Sequence, residues 1–318
     1  MKKGLIVIIV LLGISRVYCQ TKPMFSQYMF NMLSMNPAYA GNRNSTNYTG
    51  IFRKQWVGIP GAPTTGMFSV DTRLKESNWG IGGQLYSDQL GIEKSTGIHA
   101  SATYHLPLSY GGDDISGEAN DALTLSVGLG FGIMNYQANY NLVQTVVGGD
   151  PAFNSVVNGW QPNAGIGLLL HTSKWYMGIS APALLKSQIL NNNQTDVSSL
   201  MSNNELFFTC GYIFGKPYDA VKWKPSILIK AAPGAPVECD FNLNAWFNNI
   251  FSAGVSYRTG DAFVGMLELQ LTPQIRMGYA YDYTVSQLSV YSRGTHELML
   301  RYEVGSSGRG VAAPVRYY

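Results

Sequence analysis

Beyond residue 44, most of the chain is divided into segments of about ten residues in which apolar and polar side chains alternate. Successive side chains of a β-strand point to opposite faces, so this period of two predicts strands with one apolar and one polar face. In the segment 273–284 the apolar positions are Ile275, Met277, Tyr279, Tyr281 and Tyr283. We predict fourteen strands, at about 47–57, 64–74, 79–88, 95–106, 122–134, 161–170, 173–181, 205–214, 224–232, 239–248, 250–259, 262–271, 273–284 and 294–304.

Strand length and composition favour a membrane barrel over a soluble β-sandwich, which also alternates. Charged residues make up 13% of the chain, against about 25% in ordinary soluble domains. The segments are nearer ten residues than the 5–6 typical of soluble sheets. Tyr and Trp near segment ends fit the aromatic girdles of an outer-membrane barrel. The expected fold class is therefore all-β, a transmembrane antiparallel β-barrel of about fourteen strands over residues 47–304, with an N-terminal plug-like segment.

The first 19 residues have the pattern of a cleaved secretory signal peptide. Lys2 and Lys3 precede the apolar run Leu5 to Gly13, and Val17-Tyr18-Cys19 forms an A-x-A-like cleavage site before Gln20. Cys19 raises a lipoprotein alternative, which the bulky Tyr18 disfavours. We therefore expect export and location in the cell outer membrane, in contact with its lipid.

The net charge argues against nucleic acid as a partner, and the cysteine content argues against a disulfide framework. Cleavage would remove Lys2, Lys3 and Arg16 from the 22 basic residues, leaving 19 against 19 acidic residues and a net charge of zero. A neutral chain is not expected to bind nucleic acid. Cys210 and Cys239 would remain, and two distant cysteines do not make a disulfide framework, although an exported protein could form one bond.

The segment from Phe25 to Gly41, FSQYMFNMLSMNPAYAG, is unlike the strands. It is too dense in Met and aromatic residues to stay exposed and too short to bury them by itself. We interpret residues 20–46 as an N-terminal docking or plug segment. At the other end, residues 305–318 are predicted to form a periplasmic C-terminal tail, either a disordered end or a contact through Arg316-Tyr317-Tyr318.

No pattern of residues indicates catalysis or metal binding. The four histidines, at positions 99, 105, 171 and 296, show no metal-ligand spacing, and no G-x-S-x-G is present. Gly128–Gly132 (GLGFG) lies within a predicted strand, so we interpret it as small residues in a barrel wall rather than a phosphate loop. We expect no catalytic residue, no cofactor and no metal.

Five motifs of the chain are distinctive: FSQYMFNMLSMNPAYAG at 25–41, RKQWVGIPGAPTT at 53–65, KPSILIK at 224–230, MGYAYDY at 277–283 and GTHELMLRY at 294–302. Together they resemble the PorP/SprF family of the type IX secretion and gliding-motility system of Bacteroidetes. The resemblance implies a non-enzymatic outer-membrane barrel. Its partners would be a secreted adhesin or the C-terminal secretion domain of that adhesin, or periplasmic peptidoglycan-associated components of the machine.

The resemblance also nominates residues for docking of the plug or a partner. They are Phe25, Gln27, Tyr28, Asn31, Asn36, Pro37, Ala38, Tyr39, Gly41, Arg53, Gln55, Trp56 and Gly58. We expect residues 24–41 to pack into the periplasmic mouth or the lumen, against Arg53 and Gln55. The loops at 135–160 and 182–204 are expected outside the cell, where they would meet the secreted partner.

Two other functions stay open at the level of sequence. One is a passive porin or small-solute channel, which strand number alone would allow. The other is an outer-membrane hydrolase, for which the sequence nominates no residues. Conductance in bilayers would favour a porin. Hydrolytic activity that a single Ser or His change abolishes would favour a hydrolase. Loss of one surface adhesin with unchanged permeability would favour the secretion role.

Overall fold

A computed structural model of the chain describes residues 24–43, 45–75, 77–109, 122–143, 156–185, 205–216, 219–233 and 235–305. In these residues fourteen antiparallel strands, each paired with its neighbours in the sequence, close into a barrel by pairing of the first with the last. The strands are β1 (Ser45–Lys54), β2 (Thr64–Arg73), β3 (Trp79–Leu90), β4 (Glu93–Pro107), β5 (Thr124–Asn139), β6 (Val156–His171), β7 (Trp175–Ala181), β8 (Leu206–Tyr212), β9 (Val221–Ala231), β10 (Glu238–Phe247), β11 (Phe251–Arg258), β12 (Ala262–Gln270), β13 (Ile275–Thr284) and β14 (Thr295–Gly305). The predicted all-β antiparallel barrel of about fourteen strands is confirmed.

The pairing of β1 with β14 closes the barrel and defines its two ends. Ser45 lies opposite Gly305 and Lys54 opposite His296. We call the end with Ser45 and Gly305 the terminal end, and the end with Lys54 and Thr295 the distal end. The connections after even-numbered strands lie at the terminal end, and those after odd-numbered strands lie at the distal end.

Alternation along each strand separates a lumen face from an outer face. In β14, Glu297 and Arg301 point inward and are 0% and 2% exposed, whereas Leu298 and Leu300 point outward and are 52% and 55% exposed. An outward apolar band around a polar interior is the arrangement that a lipid bilayer requires of a barrel. No helix in the described ranges is long and apolar enough to cross a membrane.

Strand lengths differ from the prediction on one side of the barrel. The expected loop at 135–160 was too long, because β5 continues to Asn139 and β6 already begins at Val156. In this extension the inward residues Met134, Tyr136 and Ala138 are buried, while Asn135 and Gln137 alternate with them. Because Asn135 and Gln137 are polar, this part of β5 lacks the apolar outer face of the other strands and was interpreted as a loop.

Some sequence predictions lie outside the described residues. These are the signal peptide at 1–19, nearly all of the tail at 305–318 and most of the loop at 182–204. The proposed domain boundaries therefore stay predictions. Cys210 and Cys239, on β8 and β10, are free thiols.

Candidate functional site

The lumen contains a stretch of the chain itself, residues 24–43, which we call the lumen segment. It is built from three single 3₁₀ turns, Tyr28–Phe30, Met32–Ser34 and Pro37–Tyr39, rather than a continuous helix. Almost every side chain in it is buried, including those of Tyr28 at 2% and Met29 at 0% exposure. The barrel wall thus buries the Met and aromatic surface that the segment could not bury alone.

An ion cluster near the distal end holds the start of the segment. Arg53 of β1 pairs with Glu297 of β14 at 2.8 Å and with Asp282 of β13 at 2.7 Å, and all three side chains are buried. Both oxygens of Glu297 accept backbone N–H groups of the segment, from Ser26 and Gln27, each at 2.8 Å. The Ser26 hydroxyl donates to Asp282 at 2.7 Å and accepts from Arg53 at 2.9 Å. Buried charges need such pairing to offset desolvation.

Tyr28 and Met29 contact β10 next along the lumen. The Asn242 amide donates to the Tyr28 hydroxyl at 2.6 Å, and the Asn244 amide lies 2.9 Å from the Met29 sulfur. The Tyr28 hydroxyl therefore attaches this part of the segment to β10, with the ring buried at 2% exposure.

Residues in the middle of the segment bond to strands on the other side of the lumen. The Asn31 side chain accepts from Ser69 of β2 at 3.1 Å. Gln84 of β3 donates to the carbonyl of Leu33 at 2.6 Å, and Ser180 of β7 donates to the carbonyl of Met35 at 2.8 Å. Polar wall residues thus satisfy carbonyl groups that short 3₁₀ turns leave unpaired.

Asn36 and Pro37 shape the last turn by local chemistry. The Asn36 side chain accepts from the backbone N–H of Ala38 at 2.9 Å, as an N-cap residue does, and Pro37 occupies the first position of the turn. The same Asn36 amide donates to the carbonyl of Leu168 in β6 at 3.1 Å. One side chain therefore starts the turn and attaches it to the wall.

The segment leaves the lumen at the terminal end. His105 of β4 lies 3.0 Å from the carbonyl of Ala40, and the backbone N–H of Gly41 donates to Asp71 of β2 at 3.3 Å. Gly41 has a φ of +66°, which favours glycine. Arg43 then pairs with Glu303 of β14 at 2.6 Å. The segment therefore runs the length of the lumen, from the distal cluster at Ser26 to the terminal end at Arg43.

Glycines in the wall make room for this path. A Cβ added at Gly80, Gly128, Gly167 or Gly278 would collide with Ala40, Ala38, Asn36 or Gln27, respectively. We interpreted Gly128–Gly132 as small residues of the wall. At Gly128 the close backbone of Ala38 explains why the residue is small. The backbone of the segment lies too close for a side chain at Gly80 and Gly128, and the side chains of Asn36 and Gln27 occupy that space at Gly167 and Gly278.

The structure brings most of the nominated docking residues together, but not all. The nine from Phe25 to Gly41 lie in the lumen segment, and Arg53 contacts it. Gln55, Trp56 and Gly58 lie instead in the β1–β2 connection at the distal end. There the N–H of Gln55 donates to Pro63, and the N–H of Trp56 donates to the hydroxyl of Thr295 at 3.2 Å. Packing of Gln55 against the segment stays a prediction.

Sequence reasoning missed several wall residues that hold the segment. Asp282 and Glu297 were identifiable as inward carboxylates from the alternation. Gln84, His105 and Thr103, which donates to the carbonyl of Pro37 at 2.7 Å, carried no separate signal. Among the described residues, no group of three or more His, Cys, Asp or Glu side chains could hold a metal ion.

Comparison with known proteins gives one family match. The family described as "Type IX secretion system membrane protein PorP/SprF" matches residues 17–302. No curated protein matches the chain.

Solved outer-membrane barrels are similar at low identity. A Pseudomonas aeruginosa FadL homologue has 12% identity and a TM-score of 0.45, covering 91% of this chain and 95% of its own. The P. putida toluene transporter TodX has 11% identity and a TM-score of 0.47, with coverage of 86% and 93%. Acinetobacter baumannii Omp33 has 8% identity and a TM-score of 0.43, with coverage of 82% and 99%. With TM-scores below 0.5, these similarities carry no argument about role.

Changing Gly128 to Ala tests the close approach of segment and wall. We expect Gly128→Ala to destabilise the folded barrel by roughly 1–3 kcal/mol, because the added methyl group overlaps the backbone at Ala38. The matched control is Gly265→Ala, where the added methyl meets no atom within 4 Å. Unfolding midpoints in guanidinium, followed by tryptophan fluorescence in micelles, measure the difference. Equal midpoints for the two variants would contradict the packing.

Removing Arg53 tests the distal ion cluster. Arg53→Met leaves Asp282 and Glu297 buried with less compensating charge, and we expect a loss of about 3–5 kcal/mol. Heat-modifiable migration on gels reports the temperature at which the folded barrel is lost. Lys54→Met is the matched control, since Lys54 bonds the hydroxyl of Thr64 on the exposed surface and should change stability by no more than about 0.5 kcal/mol. A similar temperature shift in both variants would count against the cluster.

Proposed function

We propose that this chain, which belongs to the PorP/SprF family of type IX secretion system membrane proteins, is a closed outer-membrane barrel that supports export or surface anchoring of a secreted adhesin-like protein and catalyses no reaction. The family match over residues 17–302 gives the secretion context. The burial of residues 25–41 is the observation that supports a closed barrel. A barrel filled by its own chain is suited to holding a partner rather than to passing solutes.

The contacts of the lumen segment support its role as a plug. They extend from Ser26 to Arg43 and include both backbone and side-chain bonds to strands on all sides of the lumen. Loss of the segment would leave the buried carboxylates Asp282 and Glu297 without part of their partners, which is costly in a low-dielectric interior. The proposed resting state is therefore plugged, in contrast to a porin.

Orientation follows from the general pattern of outer-membrane barrels, in which the turns on the periplasmic side are short and the loops outside are long. Connections at the terminal end are short at 172–174, 248–250 and 271–274, although 108–123 is long. The distal end carries the long connections at 140–155 and 182–205. We therefore assign the distal end to the cell surface, where its loops would meet the secreted partner, and the terminal end to periplasmic components.

The contacts of two histidines, His105 and His296, support a non-catalytic role. His105 lies between Ser126 at 2.7 Å and the carbonyl of Ala40 at 3.0 Å, where it ties the segment to the wall. His296 points outward, with its ring 2.7 Å from the Tyr279 hydroxyl. Each has a structural partner in a position that suits packing rather than proton transfer to a substrate.

Deletion of the gene is the direct test of the secretion role. Cells that lack the protein should lose one surface adhesin while their permeability to small solutes stays unchanged. Surface proteomics and uptake of a small antibiotic measure the two quantities, and re-expression of the intact chain is the control. An unchanged set of surface proteins, or a permeability defect alone, would argue for a channel instead.

Conductance tests the plugged state. The purified chain should show little conductance in planar bilayers, because the segment fills the lumen. Replacing residues 25–39 by a Gly-Ser linker of the same length should open a water-filled pore and raise single-channel conductance severalfold. The Lys54→Met variant, which changes only a surface charge, should stay closed. A large conductance of the unmodified chain would refute the plug.

A further inference from the structure

A cavity lies between the lumen segment and the distal halves of the surrounding strands, with a volume of about 230 Å³. Its floor includes Met24 and Phe25 of the segment, and its walls include Met67, Tyr86 and Phe207. We call it the distal cavity. Apolar and aromatic groups form most of its surface, which is a common property of sites that bind organic ligands.

Carboxylates make this apolar cavity electrically asymmetric. Asp88, Glu93 and Glu205 line it together with one lysine, Lys230. Glu205 and Lys230 pair with each other at 3.4 Å. In the described part of the chain, Asp88 and Glu93 form no ion pair, and Asp88 accepts a hydrogen bond from the hydroxyl of Thr65 at 2.6 Å. Asp88 and Glu93 therefore face the cavity without an ion pair among the described residues, while Lys230 is paired with Glu205.

The register of β3 and β4 brings these two carboxylates close together. Asp88 lies opposite Ser95, and Glu93 is two residues from Ser95 on the same inward face. Such diagonal neighbours are about 7–8 Å apart. A cation placed between them would relieve their mutual repulsion and gain a charge-assisted bond to each. The ring of Tyr86, stacked on His99 at 5.7 Å, lies beside this position.

We propose that the distal cavity binds the basic side chain, Arg or Lys, of an extended segment of a partner polypeptide. The charged head lies between Asp88 and Glu93, and the methylene stem lies along Tyr86 and the apolar floor. Long basic side chains combine an apolar stem with a cationic tip in this way, and aromatic faces attract cations. The proposal rests on the proposed function, since it names the chemistry that a secreted partner would present at the distal end.

Other ligands fit the cavity less well. Its volume is below the roughly 300–1,000 Å³ of sites for drug-sized molecules, so it suits one or two side chains. A hydrocarbon would leave the negative charges of Asp88 and Glu93 without a compensating cation, which is costly for charged groups in an apolar site. An anionic ligand would be repelled by the same two carboxylates.

Binding of two matched peptides to the purified full chain tests the proposal. The probes are acetyl-Gly-Arg-Leu-amide and the same peptide with Glu in place of Arg, measured by calorimetry in nonionic micelles. The Arg peptide should bind more tightly than the Glu peptide, and added salt should weaken it. Asp88→Asn keeps the side-chain shape and should weaken the Arg peptide about tenfold, as expected for loss of one charge-assisted contact. Glu93→Gln should act in the same direction.

The control is Asp219→Asn, which removes an exposed carboxylate in the connection before β9 at the terminal end and should leave binding unchanged. Equal affinity for both peptides, or an Asp88→Asn variant that folds and binds as before, would overturn the proposal. Free arginine amide that binds as tightly as the peptide would overturn its polypeptide part and assign the cavity to small cations.

The result can be separated from the test of the proposed function. A chain that supports adhesin at the cell surface but does not bind the Arg peptide would refute the cavity proposal alone. An unchanged set of surface proteins in the deletion test would refute the proposed function, whatever the peptide does.

Discussion

The ion cluster of Arg53, Asp282 and Glu297 is the interaction on which the closed form of the barrel depends. Arg53 and Glu297 are register partners on β1 and β14, so their bond crosses the seam where the sheet closes on itself. The same Glu297 accepts the first backbone N–H groups of the lumen segment. Because one buried group serves both purposes, closure of the sheet and docking of the segment are energetically coupled.

The polar wall and the lumen segment each compensate for what the other lacks. Buried inward residues such as Gln84 and Ser180 need hydrogen-bond partners, and the short turns of the segment leave carbonyl groups unpaired. The apolar side chains of the segment in turn need cover from water. A filled lumen satisfies both demands, whereas a porin satisfies its wall with water.

The sequence predicted the parts that repeat, and it could not predict the parts that depend on long-range contacts. Period-two alternation predicts both the strand count and the inward position of Glu297, because the pattern within each strand shows which of its residues point to the lumen. The density of Met and aromatic residues around Tyr28 predicts burial. The path of the segment is different, because Ser26 meets Glu297 across 271 positions in the sequence and no local pattern encodes that distance. Trp56 carried a family signal, yet it supports the β1–β2 connection rather than the lumen.

The path of the lumen segment also constrains the order in which this protein can fold. The segment enters at the distal cluster and leaves at Arg43, so a finished ring of fourteen strands encircles it. Threading a chain rich in bulky side chains through an already sealed cylinder would require those side chains to cross its polar interior. Wrapping the sheet around the segment avoids that barrier. This path favours an order in which the sheet closes around the segment and the joining of β1 to β14 comes last.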